Sequence, residues 1–277
     1  MKIATWISVS DLVPIPQTNF EKIIQIFDKK TKFFRSLSLD FIFSSLKQAG
    51  VDGLELLIPK HTSDNDICKV RKILDKYRFP VLSIHQSLSN KKPFSLKEVE
   101  KLCRFADYFS SSVIVLHSTT LGNSLKDKSF INSLKILQKQ YKIKFGIENM
   151  SRFCFGSKTF THDAKEFSQT ISDTGLYITF DTTHMGQAGG DIVEFYLSNK
   201  ERIINIHISD YKNTWINKNV IPQIYSHLPL GQGELPLEKF LRIIKKEKYN
   251  SFITMEINSK LNDICDCARF IKSLYYG

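Results

Sequence analysis

The 277-residue chain contains no apolar stretch approaching the ~20 residues that a helix needs to span a bilayer. That excludes a helical membrane anchor from the expected architecture. The N-terminus, M1-K-I-A-T-W-I-S8, enters an apolar run directly and shows no signal-peptide cleavage pattern. Cysteine is scarce and badly spaced for structural use. The five residues Cys68, Cys103, Cys154, Cys265 and Cys267 form no C-x-x-C pair and are odd in number. All five read as reduced thiols of a cytoplasmic protein rather than a disulfide framework. Acidic residues are also in short supply, 28 against 39 basic, for a formal charge of +11. Such a field attracts phosphate or nucleic acid. Much of it lies on expected outer helices such as Lys69–Arg78, where solvation accounts for it. The loop positions Lys60, Lys91, Lys92, Lys126, Lys128, Arg152, Lys158, Lys212 and Lys218 are more informative.

What is present is a series of eight short hydrophobic runs. They are Ile3–Val9, Gly53–Ile58, Val81–His85, Val113–His117, Phe145–Glu148, Tyr177–Asp181, Ile203–His207 and Phe252–Glu256. Polar alternation is absent in the first, as expected of a strand buried on both faces. Helical spacing is readable at about 38–49, 64–77, 95–108, 125–141, 161–172, 191–199, 236–248 and 262–275. A possible capping box at T18-N-F-E21 opens one more helix between the first two strands. Strand–helix alternation argues for parallel pairing through helical crossovers. Eight units favour a single-domain (β/α)8 TIM barrel with an extra helix inserted after the first strand; an open doubly wound sheet is the alternative.

The last six runs end on His85, His117, Glu148, Asp181, His207 and Glu256. In a barrel, the carboxyl ends of the strands converge on one mouth. His, Asp and Glu suit zinc, manganese or magnesium. Three carboxylates gathered there would repel one another unless a cation lay between them. Two loop histidines join the set, His184 in D181-T-T-H184 and His227 before L228-P-L-G-Q-G233.

These motifs resemble the endonuclease IV branch of the xylose-isomerase-like, divalent-metal TIM-barrel superfamily. D181-T-T-H184-M-G-Q-A-G189-G-D191, H207-I-S-D210 with Lys212, H227-L-P-L-G231-Q-G233 and E256-I-N carry the resemblance. It implies one metal on His85, His117 and Glu148, with Glu148 bridging to a second on Asp181, His207 and Glu256. His184 and His227 would hold a third. Tyr225 stands where that branch has an aspartate for the third metal, so two ions, with zinc the leading identity, are expected. The implied activity is hydrolysis of a phosphodiester, as in an abasic-site DNA endonuclease, by a hydroxide poised by Glu148 and Glu256. The DNA-gripping loops are poor: P59-K-H-T-S63 replaces a glutamine- and arginine-rich loop, and Leu88 falls at an aromatic wedge. Phe153, Phe155, Tyr211 and Trp215 are candidates for stacking on a base or a sugar.

The superfamily's other branch comprises sugar isomerases and epimerases. It implies one metal on Glu148, Asp181, His207 and Glu256, with the two glutamates as the acid/base pair. Asn213 stands where that branch commonly has arginine. His85 and His117 have no clear use in a single-metal isomerase, and they tip the expectation toward phosphoester chemistry. A small sugar or sugar phosphate is the alternative substrate. No membrane and no obligate protein partner are expected.

Overall fold

The structure, a computed structural model, describes residues 1–15, 37–87, 95–151, 163–215 and 225–276. Eight parallel strands close on themselves in sequence order, β1 Lys2–Ser8, β2 Gly53–Ile58, β3 Val81–Gln86, β4 Val113–His117, β5 Lys144–Glu148, β6 Tyr177–Asp181, β7 Ile203–Ile208 and β8 Phe252–Met255. β1 pairs with β8 as well as with β2, so the sheet has no edge and the open alternative is excluded. This is the expected TIM barrel. The inserted helix after β1 falls at residues outside the described set.

The strands form because Ile, Val and Phe fill the faces that a pleated ribbon must bury. One face of each packs outward against helices: Ile84, Ile114, Leu116, Phe145, Ile147, Ile178, Phe180, Ile206 and Ile253 are all fully buried in one continuous core. The alternate positions face the barrel axis. Their direction is fixed by bonds that only the interior permits, since Glu55 of β2 contacts Ser83 of β3, Asn205 of β7 and Thr254 of β8. The period of two then places His85 above Ser83, His207 above Asn205 and Glu256 above Thr254. The strand-end ligand types are therefore the topmost inward layer of the barrel.

Helices begin where side-chain caps supply the missing acceptors. Reciprocal capping boxes at Ser63/Asp66 and Ser95/Glu98 start the helices Asp64–Tyr77 and Leu96–Phe109. The helix expected from 125 starts at Lys128, because Gly122–Lys126 forms a 3-10 turn and Asp127 caps the helix. Among the described residues no helix is long and apolar enough to cross a membrane. Cys68, Cys103, Cys265 and Cys267 are free thiols; Cys154 lies outside the described residues.

Candidate metal centre and proton-transfer site

All eight ligand-type residues meet at the carboxyl-terminal mouth, in two tiers. The inner tier is buried: His85, His117, Glu148, Asp181 and His207 are each at most 5% exposed. The outer tier of His184, His227 and Glu256 is partly open to the mouth.

His207 is the hub. Its Nδ1 lies 2.9 Å from Glu148 Oε1 and 2.6 Å from Glu256 Oε2. Its ring stacks on His85 with centroids 5.4 Å apart. The second Glu148 oxygen, Oε2, faces His117 Nε2 at 3.3 Å and His85 Nε2 at 3.5 Å. Glu148 thus stands between His207 and the pair His85/His117. Asp181 accepts the backbone N–H of His184 through Oδ1. Its Oδ2 is buried without a hydrogen-bond partner among the described residues.

The chain fixes these groups from behind. Asn149, next to Glu148, receives the Asp181 N–H at 2.8 Å and donates to the Asp181 carbonyl at 2.9 Å, locking the tip of β5 to that of β6. The side-chain amide oxygen of Gln86 takes the backbone N–H of His117 at 3.0 Å. His227 sits at φ 52°, a left-handed conformation unusual for a residue with a side chain. Its Nδ1 lies 3.2 Å from the Glu256 carbonyl, which can only accept, so Nδ1 carries the proton and Nε2 is the free ligand nitrogen. The His227 loop is clamped by Asp210, whose carboxylate receives the N–H groups of Gly231, Gly233, Leu235 and Tyr211 at 2.8–3.1 Å. Gly233 is required there, since a Cβ would lie 2.3 Å from Asp210 Oδ1.

The electrostatics are those of a site built for a cation. Burial opposes charge on His207, but Glu55, Glu256 and Glu148 outweigh it and hold the imidazole charged well above its ordinary range. Burial likewise opposes the Glu148 carboxylate, which His207, His85 and His117 nonetheless hold far below the usual range. Asp181 is the group left over. Burial, with Glu256 and Glu148 nearby, pushes its carboxyl up to about 8. Burial takes His117 down to about 3, a neutral imidazole with a lone pair to offer.

A divalent ion fits this donor set. His85, Glu148, His207 and Glu256 present ligand atoms within 4.8 Å of one another, as do Glu148, Asp181 and His184, and Asp181, His227 and Glu256. Donors about 2.0–2.2 Å from one ion lie at such mutual separations. The unpartnered Asp181 oxygen and two carboxylates crowded on one imidazole nitrogen are what a cation would relieve.

The sequence profile of the xylose isomerase-like TIM barrel matches residues 43–274. The chain belongs to that family. A relative from Methanocaldococcus jannaschii, an uncharacterized protein, is 25% identical over 88% of this chain and 92% of its own length. An uncharacterized protein of Mycobacterium tuberculosis is 20% identical over 80% and 85%. Among solved structures, a D-tagatose 3-epimerase-like protein superposes with a TM-score of 0.67 at 19% identity, covering 100% of this chain and 97% of that one. A D-allulose 3-epimerase from Methylomonas sp., in complex with D-allulose, gives 0.61 at 14% identity over 99% and 98%. At such identity these two attest the shared fold.

Within this xylose isomerase-like barrel, two site groups escaped the sequence reading: Glu55 and Asn149. Glu55 left a legible trace, as a lone carboxylate inside an apolar β2. Asn149 left none, because a polar residue just past a strand end is ordinary; Asp210 was legible only as part of the motif H207-I-S-D210, without its role. Two expectations for the mouth change. Tyr211 is only 8% exposed and packs into the structure, so it is not a stacking platform, whereas Trp215 is 72% exposed. Lys126 pairs with Glu166 at 3.3 Å, so its charge is partnered within the chain. Leu88, Phe153, Phe155, Lys91, Lys92, Arg152, Lys158 and Lys218 lie outside the described residues.

Proposed function

We propose that this chain is a divalent-metal-dependent isomerase or epimerase of a small polyhydroxy aldehyde or ketone, a sugar or sugar phosphate. The observation that carries the proposal is the convergence of Glu148 and Glu256 on His207 Nδ1, with the unpartnered Asp181 oxygen beside them. Glu148, Asp181, His207 and Glu256 would hold the cation, manganese, magnesium or zinc. When bound it supplies Lewis-acid polarisation of a carbonyl oxygen, which acidifies the neighbouring C–H. The two glutamates stand on β5 and just past β8, on opposite walls of the mouth. One would take the proton from the carbon beside the carbonyl, and the other, protonated beforehand, would deliver its own proton to the opposite face or the adjacent carbon. Glu256, with 22% of its side chain exposed, is the carboxylate that can trade its proton with solvent; Glu148, at 1%, is sealed in. The neighbours, one named as D-tagatose 3-epimerase-like and the other as a D-allulose 3-epimerase in complex with D-allulose, support a ketohexose-sized substrate.

Phosphoester hydrolysis by a multinuclear centre is the second reading. One feature favours it: His85, His117 and Glu148 Oε2 form a ligand set of their own. None of the relatives described above is named as a nuclease. Incubating the Mn2+-loaded protein with D-tagatose or D-allulose in D2O separates the readings. Solvent deuterium is expected at the carbon beside the carbonyl. Glu148→Gln should lose at least about 100-fold of that exchange, while a His85→Ala/His117→Ala double variant retains it. Nicking of an abasic duplex that disappears in the double variant, with no exchange into either sugar, would sink the isomerase reading.

A further inference from the structure

We infer that Glu55 is a positioning residue, holding the Nε2–H of His207 so that Nδ1 is turned toward Glu148 and Glu256. The inference rests on the proposed role of His207 as a ligand, and it concerns a residue that touches neither the ion nor the substrate.

Glu55 lies in the middle of β2, in the run G53-L-E-L-L-I58, and is fully buried. A carboxylate there loses several kcal/mol of hydration and persists only if its surroundings compensate. The compensation comes from three other strands. Oε2 accepts from Ser83 Oγ of β3 at 2.6 Å and from Asn205 Nδ2 of β7 at 2.9 Å. The orientation of Asn205 is itself set by Thr254 of β8, whose hydroxyl donates to Asn205 Oδ1 at 3.1 Å. The carboxylate therefore cannot rotate. His207 Nε2 sits over its edge, 3.2 Å from Oε2 and 3.0 Å from Oε1.

A carboxylate in this position can only accept, so Nε2 must be an N–H. Nδ1, aimed between Glu148 Oε1 and Glu256 Oε2, is then the nitrogen that gives up its proton to become the ligand when an ion binds. A ligating imidazole whose other nitrogen is held by a carboxylate is oriented and made more basic. Packing alone would not call for a charged group among Ser83, Asn205 and Thr254, since apolar residues of similar volume would fill the layer at less cost.

Replacement by glutamine separates positioning from packing. Ser83 and Asn205 both donate, so they keep the amide carbonyl at the Oε2 place and put the NH2 at the Oε1 place, beside Nε2. The Nε2–H bond then runs to a neutral carbonyl at the Oε2 place, with an NH2 turned against it from the Oε1 place, so the hold on His207 weakens. In 15N-histidine-labelled protein loaded with Zn2+, the wild type should show a proton on His207 Nε2 and metal on Nδ1. Glu55→Gln should show the Nε2–H resonance moved upfield and a Zn2+ affinity about 10–100-fold weaker, with an unchanged far-UV circular dichroism spectrum. A wild-type proton on Nδ1, or a Glu55→Gln variant unaltered in both resonance and affinity, would overturn the inference. Should the variant fail to fold, the wild-type spectrum alone decides. Should the wild type bind no Zn2+, the proposed function falls, and Glu55 is still tested in the metal-free protein. There the low-field Nε2–H resonance is expected to move upfield in Glu55→Gln, and an unmoved resonance refutes the role.

Discussion

Asp181 gives the site its most direct pH signature. Without a cation, burial and the nearby Glu256 and Glu148 raise its carboxyl to about 8, so at neutral pH it is mostly protonated. Because its pKa is higher in the folded than in the unfolded chain, the stability it contributes is full below about pH 4. That contribution is lost as pH rises through about 8. A cation reverses the preference, because it takes the carboxylate and releases the proton. Divalent-metal affinity should therefore climb by at least about tenfold per pH unit between 6 and 8, and binding should release at least one proton per chain in a weakly buffered titration at pH 7. Affinity flat across that window would contradict this assignment. At this scale seven of the eight ligand types were readable in the sequence because each ends a strand or follows one closely, and His227 through its motif H227-L-P-L-G231-Q-G233. Glu55 was readable only as an anomaly, since its meaning depends on Ser83, Asn205 and Thr254 arriving from distant strands.

At the scale of elements, the segment carrying His227 is tied down by the antiparallel bridge between Asp210 and Leu228, by Leu230 and Leu235 against the core, and by the Asp210 carboxylate, which receives four backbone N–H groups. Hydrogen bonds to a charged acceptor contribute about 1.5–3 kcal/mol each. Asp210→Ala strands those donors and should destabilise the protein by about 3–5 kcal/mol, measured by urea denaturation. Asp210→Asn keeps the shape but turns an NH2 group against N–H donors, so it should also weaken the site, at a smaller cost in stability. An Asp210→Ala protein within 1 kcal/mol of wild type would show that the loop is held by something else. Strand and helix positions were legible from apolar periodicity, since a parallel barrel buries both faces of its strands. Element ends were less so. The turn Gly122–Lys126 reads as helix from its composition, and only the Asp127 cap shows where the following helix begins.

For the whole molecule, strand closure turns eight separate signals into one site. The register pairs His117 with Glu148 and Asp181 with His207, so neighbouring strands deliver ligands at matching heights. The order of the layers, with Glu55, Ser83, Asn205 and Thr254 below His85, Glu148, His207 and Glu256, puts a rigid hydrogen-bonded floor beneath a charged mouth. Fold class followed from the strand–helix period. The chemistry did not follow in the same way, because His85 and His117 read as ligands of a second ion in one branch of the superfamily and have no evident use in the other. Their Nε2 atoms face Glu148 Oε2, and the His85 donor also comes within 4.8 Å of those of His207 and Glu256. The metal count therefore tests the central claim most directly. Equilibrium dialysis of the metal-stripped chain against Mn2+ or Zn2+, read by elemental analysis, should give one tightly held ion per chain, unchanged in the His85→Ala/His117→Ala variant and lost in His207→Ala. Two or more ions that disappear with His85 and His117, or no bound ion at all, would contradict it.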